Sequence, residues 1–218
     1  SEGHAVPIVY AAYADLEGVV GREGEHKNLN TNDLSTLREA SSLLDGHPNP
    51  MEGFPFFDAA TGSLGQGLSV AAGLGLAAAG DDLDKKIYCL IGDGESREGQ
   101  IWEAAMAASH HRVSNLIALI DLNGIQNDDF TEKTLNTNSL ADKYRAFGWQ
   151  VRDGINGHDV TSVREAFVWA QSMATDGPVA LQFNTVKGKG VSFMENNPAF
   201  HGAPPNDDQF EQAMIELS

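Results

Sequence analysis

The sequence predicts an α/β protein, a parallel β-sheet flanked by helices on both faces. Three observations lead there. Runs such as Ile87-Tyr88-Cys89-Leu90-Ile91 and Leu116-Ile117-Ala118-Leu119-Ile120 are apolar throughout rather than alternating, the pattern of strands buried on both faces. These runs alternate with helical stretches, and that arrangement requires crossover connections. The runs end in turn-forming residues, Gly92-Asp93-Gly94 and Asn123-Gly124.

Each element follows from local chemistry. Ala5 to Tyr13 reads as a helix with one apolar face. Glu17 to Asp33 turns polar, with Arg22, Glu23, Glu25, His26 and Lys27, and is expected to be a solvated excursion; Asp33 is placed to cap a short helix reaching Ser42. Pro48, Pro50 and Pro55 exclude a regular helix from Asp45 to Phe57. Leu64 to Ala79, rich in Ala, Leu and Gly and free of charge, is expected to be a helix buried on most sides. The 87–91 run is a strand, followed by a helix from Gln100 to His111 and a strand from Asn115 to Leu122. Asp142 to Phe147 (helix), Trp149 to Arg152 (strand), Val160 to Ala174 (helix), Pro178 to Asn184 (strand) and Asp208 to Leu217 (helix) complete the order.

Composition narrows the function classes. A length of 218 residues fits one large domain or a domain plus an appendage, and 1–218 is expected to form a single domain. With 31 acidic against 14 basic side chains the net charge is -17, so neither a nucleic-acid backbone nor an anionic membrane surface is an expected partner. At 41% hydrophobic and 21% charged the chain can build a core. The lone Cys89 excludes an intrachain disulfide and a cysteine zinc cage, and fits a reducing, cytoplasmic compartment. No apolar run is long enough to span a bilayer.

In a parallel sheet ligands sit at the carboxyl ends of the strands, so the site is expected just after Ile91, Asp121 and Asn184. Asp93, between two glycines at such an end, would repel a phosphate unless a cation stood between them. Asn123, at the end of the next apolar run, offers a neutral oxygen. A carboxylate and an amide oxygen suit Mg²⁺, which takes few ligands from protein and the rest from phosphate and water. Either turn alone is commonplace. Twenty-eight residues separate Gly94 from Asn123, enough for one helix and one strand, and so both ligands fall on the same sheet edge.

This pattern resembles the thiamine-diphosphate motif, Gly-Asp-Gly followed about thirty residues later by Asn. The text around it, Gly92-Asp93-Gly94-Glu95-Ser96-Arg97-Glu98-Gly99 and Thr61-Gly62-Ser63-Leu64-Gly65-Gln66-Gly67, is similar to that of the transketolase family. So are Gly3-His4-Ala5, Gly46-His47-Pro48 and His201-Gly202. The likeness runs over essentially the whole chain and is to the N-terminal, diphosphate-binding domain. The resemblance implies the thiamine-diphosphate-binding fold, with thiamine diphosphate and Mg²⁺ (or Ca²⁺) as cofactors. Asp93, Asn123 and the Ile125 carbonyl would hold the metal. His4, the Gly94 N–H and His201 would contact the diphosphate, while Gly62, Ser63 and Leu64 would line the cofactor. His47 and His201 would face the sugar. Glu98 matches a carboxylate lying between the two active sites of a dimer, and Glu103 matches an interface residue.

The implied activity is ketol transfer of the pentose-phosphate type: a two-carbon unit passes from a ketose to an aldose, with sugars or sugar phosphates as substrates. Ser63 stands where the family has Pro, and an upstream substrate-contacting histidine has no counterpart. Nor does any residue match the glutamate that the family's pyrimidine-binding domain supplies. Activity would therefore need that domain, either on a partner chain, as in a split enzyme, or on a longer chain of which this one is a fragment, within a homo- or hetero-oligomer that buries the Gly99-to-Ala108 helix. Two alternatives stand beside this reading: a non-catalytic thiamine-diphosphate-binding subunit, and a component of another thiamine-diphosphate enzyme.

The remaining patterns are ordinary. Gly73-Leu74-Gly75-Leu76-Ala77-Ala78 falls inside a helix with no strand before it and is no dinucleotide fingerprint. Lys187-Gly188-Lys189-Gly190 lacks Walker spacing and is expected to be a mobile loop in which Lys189 could at most steer an anionic sugar. His26, His110, His111 and His158 are expected at the surface or in turns.

Overall fold

The computed structural model describes residues 1–22 and 24–218; Glu23, one charge of the polar excursion, lies outside the described residues. Seven α-helices and six strands are present among them: α1 (Val6–Asp15), β1 (Val19–Val20), β2 (Lys27–Asn28), α2 (Gln66–Gly80), β3 (Ile87–Gly92), α3 (Gly99–His110), β4 (Leu116–Leu122), α4 (Thr131–Leu135), α5 (Leu140–Ala146), β5 (Gln150–Asn156), α6 (Val160–Met173), β6 (Val179–Asn184) and α7 (Asp207–Glu216). The main sheet has four strands in the order β3-β4-β6-β5, all parallel. Register places Gly92 beside Asp121 and Leu122 beside Asn184, so three carboxyl ends lie level.

The apolar runs explain the layering. On one face Leu68 and Ala71 of α2, Ile101, Ala104 and Ala105 of α3, and Leu140 and Tyr144 of α5 bury against Ile91, Ala118, Ile120 and Ala180. The Trp149 indole closes this layer by donating to the Ala105 carbonyl at 2.9 Å. On the other face Ala166 and Ala170 of α6 pack on Ile117, Ile155, Val179, Leu181 and Phe183. Alanine at the α6 contact lets that helix lie close to the strands, and each fully buried Ile or Leu contributes roughly 1.5–3 kcal/mol. A third cluster joins Val6, Tyr10 and Ala14 of α1 to Val20, Leu29, Leu44 and Phe54, with Tyr10 and Phe54 edge-to-face at 4.8 Å.

Three expectations need correction. The excursion after α1 is not wholly solvated: Val20 and Leu29 are buried, and β1 pairs antiparallel with β2. The cap of the next helical turn, Thr31–Thr36, is Asn30; Asp33 is the reciprocal partner three residues in, accepting from the Asn30 N–H at 3.0 Å. The turn is 3-10 and stops well short of Ser42. Helix α2 keeps an open side, with Val70 38% and Leu76 43% exposed, because only its inner face meets the sheet and α3.

Candidate functional site

The site grows from the turn after β3. Asp93 continues the sheet, its N–H donating to the Asp121 carbonyl at 3.0 Å. The residue is only 2% exposed, and its Oδ2 accepts from the Gly124 N–H at 2.7 Å. Burial lifts this carboxyl to about 6, against the pull of the Gly124 and Gly94 N–H groups and the Arg97 charge. At the end of β4, Asn123 is oriented from both sides. Its Nδ2 donates to Asp121 Oδ2 at 2.9 Å, and its Oδ1 accepts from the Ile125 N–H at 2.9 Å. Asp121 is itself held by the Thr185 hydroxyl, one residue past β6. Hydrogen bonds therefore link the ends of β3, β4 and β6.

Glu95 joins a further loop to this framework. It is 3% exposed, and its two carboxylate oxygens accept from the Gly65 N–H at 2.7 Å and the Gly92 N–H at 3.2 Å. That ties the 61–65 loop to the end of β3. Within the loop Gly62 has φ +151°. A Cβ at Gly62 would lie 3.1 Å from the His47 ring, and one at Gly3 would lie 3.0 Å from it. Two glycines thus make the slot that seats His47. His4 and His201 face one another with ring centroids 5.2 Å apart. Burial and the Lys187 charge hold both imidazoles below their ordinary values. Glu2, with Oε1 3.7 Å from His4 Nε2, is raised to about 7, first by burial and next by the Asp121 charge.

The residues predicted from sequence fall into three groups. Asp93, Gly94, Asn123 and Ile125 come together at the strand ends; the Gln126 side chain packs so close to Gly94 that a Cβ there would meet it at 2.8 Å. His4, His47, Gly62 and His201 form a second group beside them. Ser63 and Leu64 are exposed at the loop tip, and Glu98 and Glu103 point outward from the start of α3. Glu98 lies against the 61–65 loop: a Cβ at Gly65 would come within 2.9 Å of the Glu98 Cβ.

Sequence reasoning missed Glu2, Gly3, Glu95, Arg97 and Lys187. Of the two lysines in the 187–190 loop, Lys189 is paired with Glu195 at 3.1 Å, whereas the charge of Lys187 acts on Glu2, His4 and His201. The signal for Lys187 was its position three residues after β6, at a carboxyl end.

The donor set can be set against the implied metal and cofactor. Among the described residues no group of three or more His, Cys, Asp or Glu could hold a metal unaided. A carboxylate, an amide oxygen and a main-chain carbonyl are nonetheless the hard donors that Mg²⁺ shares with phosphate oxygens. Among the described residues, buried polar atoms without partners also gather here: Thr61 Oγ1, Gln126 Oε1 and His201 Nδ1, while the Tyr144 hydroxyl lies inside the main core. Such atoms require partners, and a polar cofactor would provide them. The residues fit the group.

The sequence model of the family described as "Transketolase, thiamine diphosphate binding domain" matches residues 1–218. The chain is 38% identical over 218 residues to one subunit of the apulose-4-phosphate transketolase of Phocaeicola vulgatus, covering all of this chain and 73% of that one. It is 41% identical over 217 residues to the 6-deoxy-6-sulfo-D-fructose transketolase subunit SqwG of a Clostridium species, covering 74% of it. A crystal structure of a Pichia stipitis transketolase superposes with a TM-score of 0.86 at 30% identity, covering 100% of this chain and 32% of that one. The chain therefore spans about a third of the solved transketolase it matches, and its sheet and flanking helices are the thiamine-diphosphate-binding fold. By sequence and by fold alike, the chain belongs to the transketolase family, within its thiamine-diphosphate-binding domain.

Proposed function

We propose that the chain is the cofactor-holding half of a transketolase that works in the cytoplasm, passing a two-carbon unit from a ketose to an aldose. The observation that carries the reading is the joining of Asp93 to the Asn123–Ile125 turn, through the 2.7 Å bond from the Gly124 N–H, beside His4, His201 and Lys187. Asp93, Asn123 and the Ile125 carbonyl hold Mg²⁺. The Gly94 N–H, His4, His201 and Lys187 hold the diphosphate, and Gly62, Ser63 and Leu64 line the cofactor. Bound thiamine diphosphate supplies the carbanion chemistry of two-carbon transfer. His201, whose burial favours the neutral imidazole, and His47 bond the hydroxyls of a sugar or sugar phosphate and move their protons. A partner chain carrying the pyrimidine-binding domain completes the site, with Glu98 on the side facing it. The subunit names of the two relatives and the exposed apolar residues of α2 and α3 support such a partner.

The test is a calorimetric titration of thiamine diphosphate into the purified chain, with and without Mg²⁺. The expected result is metal-dependent binding that Asp93→Ala abolishes; unchanged affinity in that variant sinks the metal assignment.

A further inference from the structure

Arg97 has no role in the reaction described above, yet its guanidinium binds three main-chain carbonyls. Nε donates to Leu135 at 2.8 Å and Nη2 to Thr131 at 3.2 Å, while Nη1 donates to Asp93. Asp93 is on the turn after β3; Thr131 and Leu135 are the first and last residues of α4. Helix α4 is fastened in turn to the Asn123–Ile125 turn, since the Thr131 N–H donates to the Gly124 carbonyl at 2.8 Å. The loop between is closed on itself by the Gln126 N–H, which donates to the Asp129 carbonyl at 3.0 Å. One side chain therefore ties the Asp93 turn to α4, and through the Thr131–Gly124 bond to the segment that carries Asn123 and the Ile125 carbonyl.

We propose that Arg97 is a positioning residue that locks the Asp93 turn to the Asn123–Leu135 loop and so sets the spacing of the metal ligands. The inference rests on the reading of Asp93, Asn123 and Ile125 as those ligands. The chemistry requires arginine in particular. A planar fork with five N–H donors reaches carbonyls on different sides at once, whereas an ammonium on a flexible stem cannot hold all three. The lock also explains how α4, a helix of only five residues with no side-chain cap, keeps its place. Without the lock the two ligand segments would still be connected by the Gly124–Asp93 bond, so the site would loosen rather than disappear.

The test compares wild type with Arg97→Met, which keeps the stem and removes the fork, and Arg97→Lys, which keeps the charge. Amide hydrogen exchange is followed at residues 124–135 in the ligand-free chain, with the amides of β6 as reference. The Mg²⁺ midpoint is measured by calorimetry at a fixed excess of thiamine diphosphate. The expected result is faster exchange in Arg97→Met confined to 124–135, β6 unchanged, and a Mg²⁺ midpoint raised about tenfold, the cost typical of losing a group that orients a ligand. Arg97→Lys should fall between, and it decides the question alone if Arg97→Met does not fold. Exchange and midpoint both equal to wild type overturn the proposal. Wild type failing to bind the cofactor overturns the reading of the ligands instead; exchange then decides the lock, which acceleration upholds and equality refutes.

Discussion

The Asp93 carboxyl is buried at the end of β3 with its folded value lifted from 3.8 to about 6. A carboxyl raised in this way binds its proton more tightly in the folded chain than in the unfolded one. Its contribution to stability is therefore largest at low pH and is lost as pH rises from about 4 to about 6. At 1.36 kcal/mol per unit, up to about 3 kcal/mol is at stake. Asp93→Asn keeps an acceptor for the Gly124 N–H and removes the charge. In the absence of metal this variant should be more stable than wild type at pH 8, with the gain vanishing near pH 4; urea unfolding at both pH values checks it, and equal stability at pH 8 contradicts it. The functional aspartate was legible because Gly-Asp-Gly after an apolar run has chemical meaning in sequence. Its supports were not: Arg97 and Glu95 act through main-chain carbonyl and N–H groups, and nothing in a sequence says which carbonyl a side chain will find.

Elements were legible where periodicity was strong. Both central strands and the helices around them follow from apolar runs and their spacing, with ends shifted by a residue or two. The short pieces were not: α4 and the two-residue β1–β2 ladder have too few residues for a period to show. Helix α2 shows what packing adds to pattern. Its Gly75 sits against the turn before β4, where a Cβ would lie 2.6 Å from Val113 Cγ1 and 2.9 Å from Asn115 Oδ1. The Asn115 amide also donates to the Gly75 carbonyl at 3.0 Å. Gly75→Ala gains about 1 kcal/mol of helix propensity but forces this contact apart, at a cost of about 1–3 kcal/mol. Because Val113 is buried and cannot swing away, the clash should win. A net loss of about 1 kcal/mol is expected in chemical denaturation, and a stabilised variant would show that the helix shifts freely.

At the scale of the whole molecule, a net charge of -17 gives a field that repels diphosphates. The site itself adds Glu2, Asp93, Glu95 and Asp121, against Lys187 and Arg97. Binding of an anionic cofactor must then be carried by local donors and a cation, which is why Mg²⁺ dependence should be steep. The surface tells of assembly. Leu64, Val70, Leu76 and Met106 are each between 38% and 49% exposed on or beside α2 and α3, helices that pack on one another. These are apolar side chains that burial against another chain would stabilise. The isolated chain is expected to self-associate at micromolar concentration in sedimentation velocity, and a clean monomer there would contradict this. The architecture was legible in the sequence because alternation dictates a parallel sheet; the strand order was not, since nothing local distinguishes a central strand from an edge one.

Strand order also governs how the protein is made. β6, the last of the four sheet strands to leave the ribosome, lies between β4 and β5. Until residue 184 has emerged β5 has no neighbour to pair with, and the hydroxyl of Thr185 that steadies Asp121 is not yet present. The ligand-bearing ends of β3 and β4 therefore exist early as chain but become rigid late, when the middle of the sheet is filled from behind. Slow codons or a pause before β6 would prolong a state with two unpaired strand edges, the state most open to pairing with the wrong neighbour.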